Sequence, residues 1–241
     1  MPLPVRTFEV RKAHLIRITA IDMVNQTFDA QFFLEFCIRG GADDEYLWGE
    51  NKNSEDWPTD TNNPPAKWFL KQFDCPTALS WKALESKAYF SKPNDLVLQQ
   101  RIEGTFMESF ELNAFPYDTQ CLTLRLSLLC AQEGHVPVEI LVPEGVLGLI
   151  DTEECMPTLS QNFRLNSTFE LTSIFVGSKD ANGVRMRTFP ALQLQARVRR
   201  YAAYYTANAV APMGCFSLLT LVTFLPRLTH THTAPKRLTP L

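Results

Sequence analysis

Residues 101–127 read RIEGTFMESFELNAFPYDTQCLTLRLS, and this stretch decides the fold. Its centre is Phe115-Pro116-Tyr117-Asp118-Thr119-Gln120. Phe106, Phe110 and Leu112 lead into that centre, and Leu122, Leu124 and Leu126 lead out of it. A period of two on both sides predicts two half-buried strands. Pro116 fixes its own φ and has no N–H for a ladder, so it belongs in the connection. The connection itself is apolar and aromatic where polar residues are the norm. A tip of that kind is expected to dock onto another surface.

Working outward, two further segments carry the same reading. Upstream, residues 14–40 read HLIRITAIDMVNQTFDAQFFLEFCIRG. Downstream, residues 196–226 read ARVRRYAAYYTANAVAPMGCFSLLTLVTFLP. With FPYDTQ between them, the three segments resemble, in order, parts of the pentameric ligand-gated ion channels, the Cys-loop receptor family. FPYDTQ is similar to the FPFDxQ tip of that family's Cys-loop. The first segment resembles its first two extracellular strands. The last resembles its final extracellular strand, running through an arginine into the first membrane helix, with Tyr204-Tyr205, Asn208 and Pro212 at the matching aromatic, Asn and Pro positions. Residues 41–100 match poorly.

The family's defining bridge ends just after the FPFDxQ tip. Its two positions fall here at about Glu108 and Leu122, and neither is cysteine. The resemblance is therefore to a Cys-less loop variant. The six cysteines are Cys37, Cys75, Cys121, Cys130, Cys155 and Cys215. A bridge between Cys121 and Cys130 is possible, and buried free thiols are the favoured expectation.

The remaining chain reads as short strands with turn signals. Cys75-Pro76, Lys92-Pro93-Asn94-Asp95 and Gly40-Gly41-Ala42-Asp43-Asp44 mark turns, and residues 41–66 make a long polar loop. Residues 136–142 form a short strand. Residues 169–176 and 184–198 flank a polar tip ending in Asn182-Gly183, which predicts a hairpin. The expected fold is all-β, an immunoglobulin-like β-sandwich of about ten strands followed by one transmembrane α-helix. Residues 1–200 would be the ligand-binding domain, 201–226 the membrane helix, and 227–241 a disordered polar tail.

Tyr201 to Pro226 carries no charge and is flanked by Arg200 and Arg227. That length suffices to cross ~30 Å of hydrocarbon. Tyr201, Tyr204 and Tyr205 suit an interfacial aromatic belt, and Asn208 near Pro212 is expected to satisfy helix backbone or a neighbouring helix. The start, MPLPVRTFEVRKAHLI, has no apolar signal region. An exported domain needs one, so a trimmed start or a partial gene is expected.

The chain of 241 residues has a net charge of −3 with no basic stripe, which excludes a nucleic-acid footprint. No GxSxG, HExxH, CxxC, phosphate loop or dinucleotide glycine pattern occurs. Asp43-Asp44 and Glu153-Glu154 are adjacent only in sequence, and the four histidines offer no metal spacing. A non-enzyme without metal or cofactor is expected.

The resemblance implies a small-molecule ligand pocket between neighbouring subunits of a homo- or hetero-pentamer. The matching positions are Phe33 on the second strand, Leu129 after the tip loop, and Arg185, Arg187 and Phe189 on the late hairpin. The aromatic cage of amine-gated members is mostly missing, and the arginines would suit an acid better. It further implies that the tip, Phe115, Pro116, Tyr117 and Asp118, rests on the membrane domain with Asp118 facing Arg200, and with Asp22 at the same level. The function implied is ligand-triggered opening of an ion pore, with the ligand-binding domain outside the cell. The alternative is a membrane-tethered or secreted ligand-binding protein without channel activity; three more apolar helices downstream would favour the channel. A carbohydrate-binding or hydrolytic sandwich has no motif behind it. Because the family's pore is lined by its second helix, the 241-residue chain alone is expected to carry no current. Planar-bilayer recordings with ligand check this.

Overall fold

The computed structural model describes residues 5–41, 73–91, 94–129, 137–150, 155, 162–179 and 186–230. Among them are eleven strands: β1 (Arg6–Asp22), β2 (Thr27–Ile38), β3 (Phe73–Asp74), β4 (Ala78–Ser91), β5 (Asp95–Met107), β6 (Thr119–Leu128), β7 (Val138–Leu141), β8 (Gly148–Ile150), β9 (Phe163–Leu165), β10 (Thr168–Lys179) and β11 (Met186–Arg200). A helix follows in three pieces, α1 (Ala202–Tyr205), a π-helical turn (Thr206–Val210) and α2 (Ala211–His230).

Period-two patterning builds the sheet. On β2, Phe28, Ala30, Phe32, Leu34, Phe36 and Ile38 are buried while alternate residues face outward. Leu122, Leu124, Leu126 and Leu128 do the same on β6, and Leu192, Leu194, Ala196 and Val198 on β11. The strands form one curled mixed sheet in the order β3-β6-β11-β10-β8-β1-β2-β5-β4, with β7 beside β1 and β9 beside β11. One limb, β1-β2-β5-β4, and the other, β3-β6-β11-β10, contribute to a single hydrophobic core. Burying each large apolar side chain stabilises by about 1.5–3 kcal/mol.

The short β8 ties the limbs, running parallel to β1 and antiparallel to β10. The tie depends on Gly148, since a Cβ there would collide with the ring of Phe169 on β10. Phe169 is buried in the close-packed core, so moving its ring disturbs the packing around it. Gly148→Ala is therefore expected to destabilise by about 1–3 kcal/mol, measured as a lowered denaturant midpoint with an unchanged m-value.

Several sequence expectations meet the structure. The turn after Phe73–Asp74 is closed by the Ala78 N–H donating to the Cys75 carbonyl at 2.9 Å. The short strand is β7, and β10 and β11 pair as an antiparallel hairpin from Glu170↔Gln195 to Lys179↔Met186. The strand leading into the tip is shorter than the alternation implies. It ends at Met107, which pairs with Thr27, the first residue of β2; past it the only backbone bond to the β1–β2 turn among the described residues is from the Glu108 N–H to the Gln26 carbonyl. Phe110 is still buried, but Leu112 is exposed. The helix does not stop at Pro226, as its backbone continues to His230. A proline inside a helix lacks its own N–H and crowds the carbonyl four residues back, but the residues after it can still form helical bonds. The loop at 42–66, the hairpin tip at 180–185 and the tail at 231–241 lie outside the described residues, as do Glu153-Glu154.

The thiols divide into buried and exposed. Cys37, Cys75 and Cys155 are buried. Cys121 and Cys215 are exposed, against the expectation of buried thiols. Cys121 shares its face of β6 with Thr123 and Arg125, opposite the leucines, and Cys215 sits on a helix with no buried residue between Ala211 and Phe224. Cys37, Cys75, Cys121 and Cys215 form no disulfide, and Cys130 lies outside the described residues. Burial pushes the Cys75 thiol up to about 12 and the Cys37 thiol up to about 11, so neither is a nucleophile at neutral pH.

Candidate functional site: the junction of sheet and helix

Asp118 stands immediately before β6, and Arg200 closes β11, the antiparallel neighbour of that strand. The ladder runs out between them, with the Arg200 N–H donating to the Asp118 carbonyl at 3.2 Å. Both side chains turn inward from that point. The Arg200 Nε donates to Asp118 Oδ1 at 2.8 Å, and its terminal nitrogen to Oδ2 at 3.3 Å. The two side chains are only 5 % and 3 % exposed. A two-point guanidinium–carboxylate contact fixes orientation as well as distance.

The pair is completed on every side. Gln120 Nε2 donates to Asp118 Oδ2 and to the Glu111 carbonyl, each at 2.6 Å. The guanidinium carbon lies 5.0 Å from the centroid of Phe115, 5.2 Å from Phe163 and 5.4 Å from Tyr205, an aromatic surround that favours a cation. The Met23 sulfur, from the β1–β2 turn, touches the remaining edge of the guanidinium. Burial pushes the Asp118 carboxyl up, but hydrogen bonds from Arg200 and Gln120 and the guanidinium charge outweigh it, leaving the carboxyl below its ordinary range. Burial likewise lowers Arg200, and its bond and attraction to Asp118 reverse this, so its pKa is raised.

The tip reaches the helix directly. The Phe115 ring meets Tyr205 edge-on at 5.0 Å, and the Tyr117 hydroxyl is 3.2 Å from the Thr206 hydroxyl. The Phe115-Pro116 peptide is cis. Asp22 ends β1 at the adjacent turn, and among the described residues its carboxylate serves that turn. Its carboxylate accepts from the Val24 N–H, the Asn25 N–H and the Asn25 amide at 2.9, 3.0 and 2.6 Å. The Asn25 backbone bond is the main reason its pKa falls.

The helix beyond the junction is apolar all round. Ala202–Phe224 is long and apolar enough to cross a membrane, and none of its hydropathic window is buried. Several of its polar side chains bond to the helix's own carbonyls. Asn208 Nδ2 donates to the Tyr204 carbonyl at 2.8 Å, just before Pro212, and Ser217 and Thr220 bond back to the carbonyls of Met213 and Phe216. Tyr204 itself is exposed, and Tyr205 is the partner of the tip.

The residues matched to a ligand pocket are not brought together within the chain. Phe33 lies on the outer face of β2, opposite His14 and Arg101, with its ring 6.1 Å from the His14 ring. Leu129 is exposed just past β6, Arg187 is exposed on β11, and Phe189 is half-buried there. β2 and β11 belong to different limbs. Arg185 lies outside the described residues. Sequence reading missed Gln120, Met23 and Phe163 as parts of the junction. Gln120 could have been found, because it stands two residues after Asp118 on the same face of a strand; the other two have no local signal.

Two glycosylation sequons, Asn25-Gln26-Thr27 and Asn166-Ser167-Thr168, are present. The Asn25 amide is tied to Asp22 at the junction, while Asn166 is exposed between β9 and β10. Only Asn166 is expected to carry a glycan when a eukaryotic cell exports the chain. Intact mass before and after glycosidase reads this, and a second glycan at Asn25 would count against the junction assignment.

No protein-family model matches the chain, and none of the curated proteins matches it.

Proposed function

We propose that this chain is the extracellular ligand-binding domain, with the first membrane helix, of a pentameric ligand-gated ion channel that lacks the family's loop disulfide. The curled sheet is then an immunoglobulin-like sandwich, and Ala202–Phe224 is the span. The observation that carries the reading is the buried Asp118–Arg200 pair, which fastens the FPYD tip to the root of the apolar helix. A shift of the sheet displaces Asp118, Arg200 and the tip together. Through Phe115–Tyr205 and Tyr117–Thr206 it is passed to the helix.

In this reading a small molecule binds between neighbouring copies, with Phe33 from one and Leu129, Arg187 and Phe189 from the other. That division agrees with their separation on two limbs of one chain. Arg101 beside Phe33 favours an acidic ligand over a quaternary amine. The protein is a receptor and not an enzyme, and the β domain faces the outside of the cell.

Cysteine cross-linking tests the shared pocket. With Cys121 and Cys215 replaced by serine, Phe33→Cys and Phe189→Cys are placed in one chain and treated with a short bis-maleimide. The expected product is a ladder of covalent species ending at five copies, absent from either single variant. Cross-linking confined within single chains would overturn the shared pocket.

A further inference from the structure

The tip loop has no covalent bridge among the described residues, yet its neck is closed. Glu108, the first residue past β5, sends its carboxylate across to β6, where Oε2 accepts the Thr123 N–H at 2.6 Å. The other oxygen accepts the Ser109 N–H at 3.1 Å. Two further side chains hold the same neck. Gln26, in the β1–β2 turn, accepts the Phe110 N–H at 2.6 Å through Oε1, and its own carbonyl accepts the Glu108 N–H at 2.9 Å. Gln120 exchanges two bonds with the Glu111 backbone, donating to its carbonyl at 2.6 Å and accepting its N–H at 3.2 Å.

The position of Glu108 is not incidental. Along this part of β6, one edge is taken by β11, and the other presents N–H groups with no strand beside them among the described residues. Thr123 and Arg125 are two residues apart and point off that free edge; Arg125 donates to the Thr77 hydroxyl at 3.4 Å, Thr123 to Glu108. An open edge with unpaired donors is a place where a strand must be satisfied from outside. β5 and β6 also belong to different limbs of the sheet. The Glu108–Thr123 bond therefore spans the limbs at the point where the chain leaves one for the other.

We infer that Glu108 is the positioning residue of the tip loop: its carboxylate closes the neck reversibly where a covalent bridge would close it permanently, and so sets where Asp118 meets Arg200. Its bearing on gating rests on the channel reading above; the clasp itself does not. The charge-assisted bond is the strongest contact of the neck. Breaking it leaves Thr123 without an acceptor and lets residues 109–117 swing about the Gln26 and Gln120 contacts.

Hydrogen exchange of the full chain in detergent tests the clasp. Glu108→Leu is expected to speed exchange of the Thr123 amide and of residues 109–117 by about tenfold to a hundredfold, leaving β1–β2 and β10–β11 amides unchanged. Glu108→Gln retains one acceptor oxygen and should restore most of the Thr123 protection but not that of Ser109. It also keeps the test decisive if the leucine variant does not fold. Unchanged Thr123 exchange in Glu108→Leu would overturn the proposal, and so would unchanged Ser109 exchange in Glu108→Gln. So would a loss spread evenly over all strands, which is the mark of general destabilisation. Exchange needs no pore, so a failed clasp leaves the channel reading standing, and a monomeric chain with the expected exchange pattern would do the reverse.

Discussion

Asp118→Asn is expected to destabilise the domain by about 3–5 kcal/mol. The substitution preserves shape but leaves the Arg200 guanidinium buried beside a neutral amide, with no solvent to replace the lost charge. Arg200→Gln should cost a similar amount, because it strands the carboxylate instead. The two groups meet at 2.8 and 3.3 Å, so their effects share one interaction, and the double variant should lose much less than the sum of the singles. Denaturant unfolding of the four proteins measures this, and additive losses would remove the pairing from the account. The pair also fixes an acid limit. The folded Asp118 carboxyl lies below its ordinary value, so its contribution is fully present above the unfolded pKa of about 3.9. It is lost as pH falls from there through the lower folded value. Asp118→Asn should lack that part of the acid dependence.

Phe106→Ala is expected to cost about 3–5 kcal/mol. Phe106 is fully buried at the end of β5, with its ring 5.4 Å from Phe28 and 6.0 Å from Phe32. Those three rings fill the core immediately behind the neck of the tip loop. Truncation removes both the apolar contact and the edge-to-face geometry of the Phe32 pair. The surrounding side chains lie on strands whose registers are fixed, from Phe28↔Phe106 outward, so the cavity cannot collapse. Thermal unfolding reads the loss. Phe106→Leu, which refills most of the volume, should recover more than half of it, whereas equal losses from Ala and Leu would contradict a packing origin.

Much of this was legible in the sequence because it is carried by period and by local chemistry. Alternation placed the buried face of β6, Leu122, Leu124 and Leu126. Length and lack of charge marked the helix. The pairing of Asp118 with Arg200 was implied by the resemblance of FPYD and the arginine before the helix to the channel family. What was not legible depends on distant backbone. The lead-in strand ends at Met107 because β2 begins at Thr27, a fact about the partner strand. The neck bonds of Glu108 and Gln26 join polar side chains to backbone N–H groups, and any sequence offers many such polar residues. Phe163 surrounds Arg200 only because β9 pairs with the end of β11. The buried thiol expectation failed at Cys121 because strand phase outweighs the general preference of cysteine for interiors.

Native mass spectrometry of the full chain released from mild detergent addresses the central claim most directly. The account predicts a species of five times the 27.4 kDa subunit, falling to smaller assemblies when Asp118→Asn loosens the domain. A chain that stays at one subunit mass across the concentration range, with its sheet and helix intact by circular dichroism, would contradict it.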